Sequence, residues 1–194
     1  MISGTSIIRK RMKEQELASM CRNGDRAAFA ALFKEYAPLL MAVCRRYTGQ
    51  EEDAKEVIQE GFKKIIELFD DFEFRGEGSL RAWMSKIMMN CSLAYMKKKR
   101  REEFRKEPLY EHSLEEWKEE DVDTKGIPDE VIMDFIEKLP TGCRIVLNMY
   151  VFEKLDHETI ASILNISKSA STARLYRARR LLEEMIKDYI KLAE

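Results

Sequence analysis

The side chains whose types and spacing suggest the most definite chemistry lie at 156–180. Asp156 is a good helix N-cap before a short apolar set, Ile160, Ala161 and Leu164. Asn165 follows, a residue that tolerates left-handed backbone angles. Ile166 is apolar, and Ser167 can cap a second helix. A small residue in the first helix, a turn residue four later and an apolar residue next is helix-turn-helix spacing. The second helix offers Lys168, Ser169, Ser171, Thr172, Arg174, Arg177, Arg179 and Arg180. Over 168–180 there are five basic residues and no acidic one. A helix of this width fits the DNA major groove, where Arg and Lys meet guanine edges and phosphates. The plainer alternative is a solvated basic helix on an ordinary bundle. The turn spacing favours DNA.

Two weaker sets precede it. Phe69, Phe72, Phe74, Trp83 and Tyr95 surround a loop with Gly76 and Gly78, and a basic run, Lys97 to Arg101, lies just beyond. Aromatic rings beside cations suit unstacked bases, each stack being worth ~1–3 kcal/mol. Helical spacing, however, fits Phe69, Phe72 and Trp83 better to a core. The second set is the charged face of a helix over 53–69, which by itself says only that this face is wet. No catalytic constellation accompanies them: there is no phosphate-cradling GxxxxGK, no HExxH and no defensible Ser/His/Asp ordering. Cys21, Cys44, Cys91 and Cys143 are too widely spaced for a zinc site, and His112 and His157 are the only histidines. No metal or cofactor is expected, and the cysteines read as small buried thiols.

The elements that must position these residues are helical. Phe29, Leu32, Phe33, Tyr36, Leu40, Val43 and Tyr47 recur at steps of three and four after Asp25, an N-cap candidate. Pro38 should start a second helix or kink the first, and Gly49 ends the stretch. Ala54, Val57, Ile58, Gly61, Phe62, Ile65, Leu68 and Phe69 predict the next helix. Ser79 can cap another, with Leu80, Trp83, Met84, Ile87, Cys91 and Ala94 on one side. Residues 97–106 carry a net charge of +5, and 107–137 carry −10. Little apolar periodicity exists before Ile127, so 102–127 reads as a solvated, flexible acidic linker. Val131, Ile132, Phe135 and Leu139 then form a stripe closed by Pro140, and Thr141 can cap a helix bearing Ile145, Val146, Met149, Tyr150 and Phe152. A long helix should run from Ser167 to about Lys191.

With 194 residues, 45% hydrophobic, the chain has enough apolar mass for one or two packed domains. Eight Gly and four Pro are too few for an all-β fold of tight turns. The fold class expected is all-α: two small helical domains joined by the acidic linker, the C-terminal one a helix-turn-helix. The net charge of −1 predicts no partner, so local asymmetry carries the electrostatic message. No apolar run approaches the ~18–20 residues of a membrane span, and the N-terminus lacks the pattern of a secretory signal. A reduced, cytoplasmic protein without membrane insertion is expected.

Three stretches resemble one family. Asp53-Ala54-Lys55-Glu56-Val57-Ile58-Gln59-Glu60-Gly61-Phe62 looks like the polymerase-binding helix of the extracytoplasmic-function (ECF) sigma factors, initiation subunits of bacterial RNA polymerase within the sigma-70 family. Phe74-Arg75-Gly76, then Ser79-Leu80-Arg81-Ala82-Trp83-Met84 and Ile87-Met88-Met89-Asn90, resemble its promoter-opening segment. Leu139-Pro140, Ile160-Ala161 and Ile166-Ser167 through Arg174-Leu175-Tyr176-Arg177-Ala178-Arg179 resemble its C-terminal reader. Departures are Lys154-Leu155-Asp156 for the usual Gly-Leu-Ser, Asn165 for the turn Gly, Ser171 where an apolar residue often sits, and Thr172-Ala173 for Lys-Ser.

The resemblance implies a non-enzymatic subunit with three parts. Residues 1–101 would bind core polymerase and recognise and melt the minus-ten element, 102–127 would be the linker, and 128–194 would read the minus-thirty-five element. Asp53, Glu56, Gln59, Glu60 and Lys63 would dock on the clamp of the β′ subunit. Arg75, Trp83, Lys86, Asn90, Lys97, Lys98, Arg100 and Arg101 would serve the minus-ten element. There Asn90 and the glycine loop would help hold a flipped base, whose capture offsets the few kcal/mol of unstacking. Lys168, Ser169, Ser171, Thr172, Arg174, Arg177 and Arg180 would read the minus-thirty-five element. Partners would be core polymerase, promoter DNA and an anti-sigma factor.

Overall fold

The computed structural model describes residues 13–99 and 126–193. These form eight α-helices and one 3-10 turn, with no strand among the described residues. The N-terminal half holds α1 (Glu14–Arg22), α2 (Arg26–Thr48), α3 (Glu51–Glu67), the 3-10 turn (Phe69–Asp71) and α4 (Ser79–Lys99). The C-terminal half holds α5 (Asp129–Lys138), α6 (Thr141–Val151), α7 (His157–Leu164) and α8 (Lys168–Ala193). The linker expected over 102–127 lies outside the described residues apart from Gly126 and Ile127, as do Arg100 and Arg101.

Local sequence explains most boundaries. The Asp25 carboxylate accepts from the Ala27 and Ala28 amides at 2.8 and 3.3 Å, which starts α2. Gly49 ends it at φ +71°, a backbone angle that disfavours a Cβ. Pro38 neither starts nor ends a helix: α2 runs through it. Pro38 and Lys34 are both exposed, so the Lys34 carbonyl that loses its partner lies on the wet side. The 23-residue α2 is long and apolar enough to cross a membrane by length and composition, although no uninterrupted apolar run is. Here its apolar stripe is the centre of a bundle, with Leu32, Leu40, Cys44 and Tyr47 fully enclosed.

α3 and α4 pack on α2 and on each other. Gly61 lets them approach, because a Cβ there would collide with the Met88 thioether. α4 is buried on more of its circumference than a single stripe, Met88, Met89, Leu93 and Met96 joining the predicted set, while Ala94 is exposed. Phe69 and Phe72 pack the core as their spacing predicts, each 2% exposed and each against Trp83, at 5.6 and 5.1 Å between ring centroids. Phe33 departs from its stripe: it is 50% exposed and lies on Phe62 at 4.6 Å. α1 was not among the predicted helices, though Leu17, Ala18 and Cys21 carry a one-faced spacing. Cys21, Cys44, Cys91 and Cys143 are all buried free thiols. Burial pushes the Cys21 thiol up to about 11 and Cys44 up to about 12, leaving both protonated and unreactive.

The two halves meet where α2 ends against α5 and α6. Arg144 of α6 is only 3% exposed. Its guanidinium donates to the carbonyls of Tyr47 (3.2 Å) and Thr48 (2.9 Å) at the end of α2, and to those of Glu137 (3.1 Å) and Leu139 (2.7 Å) beside its own helix. A cation there satisfies end-of-helix carbonyls and opposes the negative pole of the α2 dipole. Asn148, fully buried, donates to the Arg46 carbonyl at 2.9 Å and accepts from the Arg46 Nε at 3.1 Å. Arg45 pairs with Glu137 at 2.8 Å.

Candidate nucleic-acid interface

The helix-turn-helix forms as its spacing predicts. The Asp156 Oδ1 accepts from the Thr159 amide at 2.8 Å, starting α7. Asn165 takes φ +54° and ψ +52°, and the Ile166 amide donates back to the Ala161 carbonyl at 3.0 Å, closing the turn. The Ser167 hydroxyl accepts from the Ala170 amide at 3.1 Å, starting α8. Ile160 and Leu164 of α7 share the buried core with Leu175 and Ala178 of α8, and Ala161 is itself buried. Lys154 also takes a left-handed angle, φ +57°, where the family's usual residue is Gly.

α8 therefore presents a graded cationic face. Lys168, Ser169 and Arg180 are exposed, and Thr172, Arg174 and Arg177 are half-buried at its flank. Several already have local partners: the Lys168 ammonium lies 3.9 Å from Glu158, Arg180 3.6 Å from Glu184, and the Thr172 hydroxyl donates to the Lys168 carbonyl. Such exposed pairs are weak and easily exchanged for phosphate. Ser171 differs from expectation. It is 0% exposed, turned toward α7, and its hydroxyl shares a hydrogen bond with His157 Nδ1 at 2.9 Å. An apolar residue commonly stands there, and that inward register is kept. Ser171 is thus out of reach of a groove.

α4 supplies a second face. Trp83, Lys86, Asn90 and Lys97 recur at steps of three, four and seven along one side, with Trp83 half-buried and the other three exposed. Lys98 is also exposed, and the Lys97 ammonium donates to the Ile163 carbonyl of α7 at 3.1 Å. Arg75 lies in the preceding loop, exposed and paired with Glu73 at 3.0 Å. Gly76 and Gly78 take φ +117° and +88° with open space where a Cβ would stand. The predicted Ser79 cap is replaced. The Glu14 carboxylate of α1 accepts from the Gly78 and Leu80 amides at 2.8 and 2.6 Å. Ser79 instead ties the loop, accepting from the Arg75 amide and donating to the Gly76 carbonyl. Nothing near Ser79 in the chain announces Glu14, more than sixty residues away.

On α3, Glu56, Gln59, Glu60 and Lys63 are exposed at i, i+3, i+4 and i+7, one continuous polar face. Asp53 does not join it. It is 1% exposed and faces α4, where its carboxylate accepts from the Tyr95 hydroxyl (3.0 Å) and pairs with Lys99. That partnership holds the Lys99 ammonium above its ordinary range. A cleft of about 620 Å³ runs between α3 and α4, lined by Glu56, Glu60, Lys64, Tyr95 and Lys98 among others. Among the described residues, no cluster of His, Cys, Asp and Glu could hold a metal.

Residues 32–102 match the family model of sigma-70 region 2, and residues 129–182 match that of sigma-70 region 4; together these cover more than half of the chain. The chain is 26% identical to the ECF RNA polymerase sigma-E factor of Haemophilus influenzae, over 91% of its own length and 97% of the relative's. It is 24% identical to the RNA polymerase sigma-H factor of Pseudomonas aeruginosa, over 93% and 97%. Among solved structures, CnrH in complex with the cytosolic domain of CnrY aligns with 90% of this chain and 97% of that one, at TM-score 0.46 and 22% identity. With a region 2 bundle, a region 4 helix-turn-helix and full-length ECF relatives, the chain belongs to the ECF branch of the sigma-70 family and serves promoter-directed initiation of transcription.

Proposed function

We propose that residues 1–101 are the module that binds core polymerase and opens the minus-ten element, that 102–127 tether it, and that 128–194 read the minus-thirty-five element. The observation that carries this division is the cationic face of α8, held outward by a helix-turn-helix whose cap, turn and second cap all have their expected bonds. Lys168, Ser169, Thr172, Arg174, Arg177 and Arg180 are the groove- and phosphate-facing residues. Ser171 supports that helix from behind.

Glu56, Gln59, Glu60 and Lys63 are the contacts for the clamp of the β′ subunit, and Asp53 acts behind them by fixing Tyr95 and Lys99. Lys86, Lys97, Lys98, Arg100 and Arg101 hold phosphates of the minus-ten region. Asn90, Trp83, Arg75 and the Gly76–Gly78 loop hold an extruded base, so that melting follows from binding free energy. The chain carries out no bond chemistry of its own. It works in the cytoplasm, and an anti-sigma factor restrains it.

The test is reconstitution. Purified chain mixed with core polymerase and a promoter library is expected to give specific run-off transcripts. Binding of duplex operators without core polymerase, and no transcripts with it, would replace this function with that of a stand-alone repressor or activator.

A further inference from the structure

Within the contact between α7 and α8 lies one inward-facing polar pair, besides the exposed ion pair of Glu158 and Lys168. His157, the first residue of α7, is half-buried, and its Nδ1 lies 2.9 Å from the Oγ of fully buried Ser171. The ring does not turn freely. Tyr150 of α6 stacks on it with centroids 4.9 Å apart and planes 23° apart. The Arg179 guanidinium, two turns along α8 from Ser171, lies 5.8 Å from the centre of the same Tyr150 ring. Two side chains of α8 are thus referred to one short aromatic stack contributed by α6 and α7.

We propose that His157 is a positioning residue for promoter reading: through Ser171, and braced by Tyr150, it sets the roll of α8 about its own axis. This rests on the assignment of α8 as the minus-thirty-five reader. Side-chain tips stand roughly 6 Å from a helix axis, so a roll of about 10° displaces them by about 1 Å. Recognition by paired hydrogen bonds tolerates about half that. Apolar contact resists such a roll by packing but carries no direction of its own. A hydrogen bond to a braced ring does, because a buried hydroxyl left without its partner is destabilising.

The charges around the ring agree with a structural rather than a phosphate-binding part. Lys168 and Arg179 face it from α8, Tyr150 from α6, and Asp156 and Glu158 from its own turn. Burial first, then Lys168 and Arg179, hold the imidazole below its ordinary range, with Asp156 opposing. The ring is neutral at neutral pH and adds no cation to the interface.

Three variants of the full chain test this, each assembled with core polymerase. The probes are a duplex promoter enriched by the unaltered holoenzyme from a randomised library, and the same duplex with its minus-thirty-five element scrambled. His157→Phe keeps the stack on Tyr150 and strands Ser171. It is expected to lower discrimination between the two duplexes about tenfold, with the salt dependence of binding unchanged because no phosphate contact is lost. His157→Asn, which keeps a nitrogen near the Nδ1 position, is expected to retain most of the discrimination. His157→Phe with Ser171→Ala, in which no polar group is stranded but the bond is equally absent, is expected to stay as low as His157→Phe; recovery in it would overturn the proposal. Full discrimination in His157→Phe, or no difference between the three variants, overturns the proposal. Equal binding of both duplexes by the unaltered chain would overturn the assignment of α8 itself.

Discussion

The two helices proposed to carry cations toward DNA, α4 and α8, are started by opposite means. α8 begins on Ser167, whose hydroxyl takes an amide three residues on. α4 begins on Glu14, a carboxylate from another helix that takes the amides of Gly78 and Leu80. The first start is written in consecutive residues and needs only the chain's own neighbours. The second exists only once α1 has docked, so the loop before α4 is shaped by tertiary packing. Glycines at positions 76 and 78 fit that difference, since the loop must bend to an anchor it does not choose.

Breaking the non-local ties should therefore have the larger effects. The largest is expected from Arg144→Ala, which strands four carbonyls and leaves a cavity at the end of α2. A loss of about 3–5 kcal/mol of unfolding free energy is expected in urea titrations. A loss below about 1 kcal/mol would mean that the halves stand independently. Next comes Glu14→Ala. Removing two buried charge-assisted bonds should lower stability by about 2–3 kcal/mol and speed hydrogen exchange at the Gly78 and Leu80 amides, with Glu14→Gln in between. Protected amides in Glu14→Ala would show that the loop holds itself.

Arg174→Ala or Arg177→Ala should weaken promoter binding by ~1–3 kcal/mol if a base edge is read, or reduce the salt slope by about one if a phosphate is met. Unchanged affinity in both would remove α8 from the interface. The local start of α8 should be cheaper to break: Ser167→Ala is expected to lower stability by about 1 kcal/mol, read by thermal unfolding. Smallest is Lys154→Gly, expected to raise stability by less than about 1 kcal/mol. It relieves a left-handed angle while loosening the unfolded chain.

The same contrast explains what the amino-acid order revealed. Most of the helix periodicity, the Asp25, Asp156 and Ser167 caps, the Asn165 turn and the Gly49 stop depend on residues within a few positions of one another, and these stand where they are expected, Phe33 and Ala94 being exceptions to the periodicity. The exposed α3 face emerges the same way, from a polar i, i+3, i+4, i+7 pattern. Asp53 escaped because it is one helical step from exposed neighbours and is drawn inward by Tyr95 from a distant segment, whereas the burial of Ser171 follows the inward register that usually holds an apolar residue there. Arg144 escaped for a related reason. A cation in an apolar stripe reads as a surface residue until the carbonyls that receive it are known. Pro38 shows the reverse: a strong local breaker that does not divide its helix, its orphaned carbonyl lying on the wet side of a helix already held by its core.

The end of α2 belongs to both halves of the chain at once. Its last carbonyls are satisfied by a guanidinium that its own half does not supply. Warming the protein should not melt a reader and leave a bundle intact, or the converse, because separation strips the end of α2 of its donors and leaves the buried Arg144 guanidinium short of two acceptors. A calorimeter should record one cooperative peak, and a protease should find no long-lived half-molecule to trim.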